Sequence, residues 1–246
     1  MPRANRHILP GHVYHITHRC HDRRFLLGFQ RDRNYCRTWF REAVGRNPVS
    51  VLGYCITSNH VHLVLCGETA SAASSTMQLA AGCTAGQYNV RKGRKGAFWE
   101  GRYQCTLVDS GDYLLNCLQY VDMNMVRAGV VGHPGDWQWC GFREIAGLRQ
   151  RNRIIDQDSL TDKLKVENVR QLRELYTEFI NEASSAREFK REPKWTESVA
   201  VGSEDFVRTV AENLPRRQRI QISQAEDEER TNEWYVREVS PPYARF

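Results

Sequence analysis

From residue 12 to residue 129 the apolar residues recur with a period that switches between two and about 3.6, and the order of the switches leaves few folds open. HVYHITHR (12–19) alternates and is rich in β-formers, which predicts a strand. RDRNYCRTWFREAVGR (31–46) brings Tyr35, Trp39, Phe40 and Val44 to one side of a helix, which Asn47-Pro48 ends. VSVLGYCIT (49–57) and HVHLVLC (60–66) read as two strands joined by a hairpin-like Ser58-Asn59. Residues 70–92 predict a second helix, with Met77, Ala80, Ala81, Thr84 and Tyr88 on one side. After the basic loop RKGRKG (91–96), GRYQCTLVD (101–109) predicts a fourth strand. Asp109 or Ser110 then caps a helix through DYLLNCLQYVDMNMVRAG, carrying Leu114, Cys117, Leu118 and Val121 and ended by Gly129. The order β-α-β-β-α-β-α predicts an α+β fold, a ferredoxin-like split βαβ whose antiparallel sheet carries helices on one face.

After Asp136 the texture changes. DWQWCGF is an aromatic loop, VENVRQLRELYTEFINEA (166–183) and SEDFVRTVAENL (203–214) are amphipathic helices, and REFKREPKW between them is a charged hinge. Beyond Pro215 the chain is polar, with EDEE at 226–229. The expected organisation is a catalytic or binding domain over 1–145, a helical C-terminal extension over 146–215, and a polar, partly ordered tail over 216–246.

No stretch is apolar for the 18 residues or so that a membrane span needs, and MPRANRHILPGH has no secretory core, so the expectation is a cytoplasmic protein. The eight cysteines form no CxxC pair and read as buried thiols. The net charge of +6 is uneven: residues 1–50 hold ten arginines, no lysine and three acids. An arginine-only excess suits bidentate phosphate contacts.

Side chains two apart on a strand share a face, so His60 and His62 project together and can chelate one cation. Tyr120 and Asn124 lie one turn apart on a helix, where burial as core would leave a hydroxyl and an amide in need of partners. Two imidazoles, an amide oxygen and a phenol make three metal ligands and a nucleophile. His12, His15, His18 and His21 recur every third residue, alternate faces on a strand, and read as scaffold or DNA contacts rather than a second metal site.

SNHVHLVL, GAFWEGRYQCTLVDSGDYLLNCLQYVDMNMVRAGVV and DWQWCGF resemble the HUH single-tyrosine transposases, in particular the REP-associated tyrosine transposase branch, over roughly residues 5–145. WTESVAVGSEDFV (195–207) resembles an extension of some members. Met125 stands where relatives carry proline, and Cys20-His21 where they carry Gly-Asn. The resemblance implies that His60, His62 and Asn124 hold a divalent metal and that Tyr120 is the nucleophile. It also implies a single-stranded DNA substrate beside a REP-like hairpin and a 5′-phosphotyrosine intermediate. Imidazole ligands make Mn²⁺ as plausible as Mg²⁺, with zinc a further candidate. Arg3, Arg6, Arg19, Arg23, Arg24, Arg102 and Arg127 are the candidate phosphate contacts, and Trp99 and Tyr103 are either base-stacking or core residues.

The function this points to is a metal-dependent single-stranded DNA endonuclease and strand transferase, a monomer or alternatively a homodimer that exchanges the Tyr120 helix. Two alternatives stand beside it. One is a hydrolase using the HxH pair without a covalent step; the other is a non-catalytic, sequence- or structure-specific nucleic-acid-binding protein with the same strand and helix order.

Overall fold

The computed structural model describes residues 9–69, 71–185, 191–214, 220–225 and 232–238. Strand β1 (Val13–Arg19) is followed by helix α1 (Gln30–Val44), the hairpin β2 (Val49–Ile56) and β3 (His60–Gly67), helix α2 (Ala72–Arg91), β4 (Gln104–Val108), α3 (Asp112–Asp122) and α4 (Asn124–Arg127). These strands pair antiparallel in the order β2-β3-β1-β4. The helix read through to Gly129 breaks at Met123, whose ψ of 1° leaves the helical range, and Asn124 opens the short turn that follows. Gly129, at φ +67°, closes it in the left-handed conformation that glycine adopts most cheaply.

The helices lie on both faces of the sheet, which corrects the expectation of one. Gly53 and Tyr54 are successive residues of β2 and point oppositely. A Cβ on Gly53 would come within 2.4 Å of Leu118 Cδ2, so glycine there lets α3 lie close on that face. On the other face Arg37 Nε of α1 donates to the Tyr54 hydroxyl at 2.9 Å, and Trp39 Nε1 donates to Gln87 Oε1, tying α1 to α2. The reason lies in the strands. Val13 to Ile16 and Val61 to Leu65 are all buried, and strands covered on both sides need a layer on each.

The second half of the chain comprises α5 (Phe142–Ile145), α6 (Gln157–Leu164), α7 (Val169–Ser185), α8 (Lys194–Glu197), β5 (Ala200–Gly202), α9 (Glu204–Glu212), β6 (Ile220–Gln224) and β7 (Trp234–Glu238). β5 pairs parallel with β4 and carries β7 and then β6, giving the order β2-β3-β1-β4-β5-β7-β6. The stretch expected to be a helical extension thus supplies one strand as well, β5, and the stretch expected to be a polar, partly ordered tail supplies two, β6 and β7. The EDEE run lies outside the described residues.

The aromatic loop seals the opposite edge, with Ile56 N donating to the Trp139 carbonyl at 2.9 Å and Gly141 N to the Tyr54 carbonyl at 2.7 Å. Asp122 fastens α3 to these later elements. Its carboxylate accepts the Tyr176 hydroxyl of α7 at 2.6 Å, the Cys140 thiol at 2.9 Å and the Phe142 amide at 3.3 Å. Among the described residues no helix is long and apolar enough to cross a membrane.

Candidate active site

β1 and β3 pair with Arg19 opposite His60 and Thr17 opposite His62, so His15 sits diagonally beside His62 on the face that α3 covers. Tyr120 comes down from α3 onto the same face. Its ring lies 5.9 Å from that of His62 and 6.0 Å from that of His15, edge-on to both. Asn124, at the break after α3, brings its side-chain amide nitrogen to 2.8 Å from His62 Nε2. The His60 and His62 rings are 4.7 Å apart. The structure therefore brings together all four side chains singled out from the sequence.

Their partners fix which nitrogens are bare. Asn59 donates its amide N–H to the Arg23 carbonyl at 3.1 Å, which turns Oδ1 toward His60 Nδ1 at 2.8 Å; that ring nitrogen must donate. His60 Nε2 is left with its lone pair. His62 Nδ1 faces His15 Nε2 at 2.9 Å, and His62 Nε2 faces Asn124. Rotating the Asn124 amide by half a turn exchanges its N–H for an oxygen, so two imidazole nitrogens and an amide oxygen can converge on one cation. Among the described residues no group of three or more His, Cys, Asp or Glu side chains is placed to hold a metal ion, so the donor set open to a cation at this site is these two imidazoles with the amide.

The electrostatics suit neutral ligands. Burial, with Arg19 and Arg127 nearby, pushes the pKa of His60 down to about 4, and burial pushes His15 down to about 4 as well. His62 is driven well below the usual histidine range by burial, then by His60 and His15. All three rings are uncharged at neutral pH, as the ligands among them must be to hold a cation. Burial raises the Tyr120 phenol above its ordinary value, and Arg127 and Arg191 oppose that rise. Arg127 stands with its guanidinium carbon 4.3 Å from the centre of the Tyr120 ring.

These shifts predict how stability follows pH. A histidine that resists protonation only when folded binds fewer protons than the unfolded chain between about pH 6.5 and 4. Its contribution is whole above that window and drains as pH falls through it, by about 3 kcal/mol for a shift the size of that at His15. Asp122, raised by burial to about 6, has the opposite sign: its contribution is whole at low pH and is lost as pH rises through 6, offsetting roughly one of the three histidines. The urea midpoint of the metal-free protein is thus expected to fall steadily from pH 7 to pH 4.5. A flat profile would mean that the folded histidines titrate like free ones.

Of the candidate phosphate contacts, Arg19, Arg23, Arg24 and Arg102 are exposed, Arg127 is half-buried against Tyr120, and Arg3 and Arg6 lie outside the described residues. Trp99 stacks on His18 at 4.4 Å and donates its indole N–H to the Ala81 carbonyl, and Tyr103 is buried, so both belong to the scaffold. Among the described residues the exposed aromatic rings are instead Phe25 and Phe29, 72% and 68% exposed, close in the chain to Arg23 and Arg24. Lys92 approaches the Phe29 ring at 5.2 Å. An apolar FLLGF directly after two arginines was the available signal. His15, expected from the sequence to be a scaffold or DNA contact, lies against His62, a position that depends on the register of β1 against β3.

These elements form an antiparallel split βαβ sheet with a histidine pair on its inner strand and a tyrosine on the helix packed over it. Residues 9–124 match the family model described as "Transposase IS200 like". A solved structure of a REP-associated tyrosine transposase bound to a REP hairpin has the same fold, with a TM-score of 0.52 and 19% identity over 68% of this chain and 98% of that one. No curated protein sequence matches the chain.

Proposed function

We propose that the protein is a metal-dependent single-stranded DNA endonuclease and strand transferase that acts beside a hairpin through a phosphotyrosine on Tyr120. The observation that carries this reading is the clustering of the His60, His62 and Asn124 side chains beside the Tyr120 ring. A divalent ion, Mn²⁺ or Mg²⁺, held by those three side chains would supply positive charge to the scissile phosphate. Arg127, its guanidinium lying over the Tyr120 ring, adds a second positive charge. Tyr120 gives up its proton to solvent and its oxygen attacks phosphorus; the P–O3′ bond breaks, and the departing 3′ oxygen takes a proton. The 5′-phosphate remains on Tyr120 with its bond energy conserved, so a second 3′-hydroxyl can reverse the step without ATP. All four side chains belong to one chain, which supports a monomeric working unit.

The hairpin is proposed from the REP hairpin bound by the similar structure. Arg19, Arg23, Arg24 and Arg102 are the proposed phosphate contacts, and Phe25 and Phe29 the proposed stacking surface for unpaired bases. Base–aromatic stacking contributes about 1–3 kcal/mol per base. Phe25→Ala is expected to weaken binding of a hairpin oligonucleotide with a single-stranded flank by roughly five- to a hundredfold at unchanged salt dependence. Arg24→Ala is expected instead to reduce the slope of log affinity against log salt by about 0.7 to 0.9. Fluorescence anisotropy across a salt series reads both, and equal binding by Phe25→Ala would exclude the stacking role.

The deciding experiment incubates the protein with pooled hairpin oligonucleotides and Mn²⁺ and looks for a covalent adduct on a denaturing gel. An adduct carrying a 3′-labelled fragment supports both the nucleophile and the 5′ polarity. One observation favours the non-catalytic binder: Tyr120 is only 5% exposed and His62 only 3%, so a phosphodiester has little room. Binding without adduct across a broad pool would select that reading.

A further inference from the structure

His62 is held from behind by a residue that is not a candidate ligand. His15 Nε2 lies 2.9 Å from His62 Nδ1, and His15 Nδ1 lies 2.8 Å from the backbone carbonyl of Trp195. A carbonyl only accepts, so His15 Nδ1 carries a proton and, in the neutral ring, Nε2 carries a lone pair. His62 Nδ1 must then be the donor between the two rings. That leaves His62 Nε2, the nitrogen facing Asn124, as the bare one. We propose that His15 is a positioning residue that sets the tautomer and angle of His62, and that the C-terminal extension commands this relay through the Trp195 carbonyl. The inference deepens the metal-site reading above and rests on it.

The relay is built into fixed structure. His15 and His62 are 1% and 3% exposed, with ring planes 8° apart. Trp195 is fully buried, with its ring 6.3 Å from that of Tyr120. The chain just after it is pinned to the sheet: Thr106 Oγ1 donates to the Ser198 carbonyl at 2.7 Å, Leu107 N to the Val199 carbonyl at 2.8 Å, and Val199 N to the Val236 carbonyl at 2.7 Å. A carbonyl at the end of the relay has a further consequence, since no side-chain substitution at residue 195 deletes it. The extension therefore acts on the site by where its backbone runs, and the added strands β5 and β7 determine that path. Ligand histidines elsewhere are oriented in the same manner by the group on their second nitrogen, at a cost of about 10- to 100-fold in metal affinity when it is removed.

The test compares full-length wild type, His15→Gln and His15→Phe. A glutamine can accept from His62 Nδ1 with its oxygen and donate to the Trp195 carbonyl with its amide, whereas phenylalanine fills the space and does neither. Mn²⁺ binding, followed by the electron paramagnetic resonance signal of free Mn²⁺, is expected to weaken by about 10- to 100-fold in His15→Phe and to stay within about threefold of wild type in His15→Gln. Long-range ¹H–¹⁵N spectra of the metal-free wild type are expected to show His62 protonated on Nδ1 and bare on Nε2. His15→Phe is expected to shift it toward the other tautomer. Wild-type affinity in His15→Phe, or a wild-type His62 carrying its proton on Nε2, overturns the proposal, and the second result needs no variant to fold. If His60→Ala leaves Mn²⁺ binding unchanged, the metal-site reading has failed instead, a result the metal-free spectra keep separate.

Discussion

Tyr120→Phe is expected to abolish the covalent protein–DNA adduct and lower strand cleavage by roughly three decades or more, while leaving hairpin affinity within about twofold. The substitution removes one oxygen. The ring contacts with His15, His62, Trp195 and the Arg127 guanidinium are available to phenylalanine as they are to tyrosine, so the pocket has no cause to collapse. The wild-type rate should also carry the signature of a weak acid. Burial holds the phenol above its usual pKa, so in the neutral range it is almost wholly protonated and its ionised fraction rises about tenfold per pH unit. At saturating Mn²⁺, cleavage limited by that ionisation climbs with a log–log slope near one between pH 6 and 8. Quenched-flow or gel time courses at several pH values measure both effects. Adduct formation by Tyr120→Phe would transfer the nucleophile to another residue, and cleavage without adduct in both proteins would favour the hydrolase that uses the HxH pair alone.

The parts of this site that were legible in the sequence are those set by local geometry. His60 and His62 share a face because strand residues alternate, and the helical repeat sets Tyr120 and Asn124 about one turn apart, although the helix breaks at Met123 between them. Neither deduction needs a partner element. His15 does. Its approach to His62 depends on Thr17 lying opposite His62, a register that no local pattern announces. The Trp195 carbonyl has no side-chain signature at all. The same limit explains the fold. β6 and β7 are short, half-buried strands, of which β7 pairs with the edge that β5 offers and β6 with β7, whereas β1 to β4 declare themselves by alternating or continuous apolar residues. Helices on both faces were written in HVHLVLC, where apolar residues fall on either side of the strand, but only a covering element on each side gives that pattern its meaning.

His62→Ala is expected to weaken Mn²⁺ binding more than any change behind the ligands, because it removes the donor and strands its support together. Four-ligand structural zinc sites bind with about 10–16 kcal/mol, or roughly 3 kcal/mol per ligand if shared evenly, which corresponds to a hundredfold or more in affinity. The alanine also leaves His15 Nε2 without the donor it faced at 2.9 Å, in a pocket too buried for bulk water to replace it freely. His60→Ala removes a ligand too, but His60 is backed by Asn59 and Thr57 at the hairpin rim, so its loss leaves the buried relay intact. The two variants should therefore bind Mn²⁺ comparably poorly yet differ in stability, with His62→Ala melting lower. Calorimetric titration with Mn²⁺ and thermal melts of the metal-free proteins separate the two contributions. If both variants retain wild-type Mn²⁺ affinity, the histidine pair serves the fold rather than a cation; if only His62→Ala does, the binding centre lies at His60 and the rim, and Asn124 would have to turn away from the position it holds against His62 Nε2.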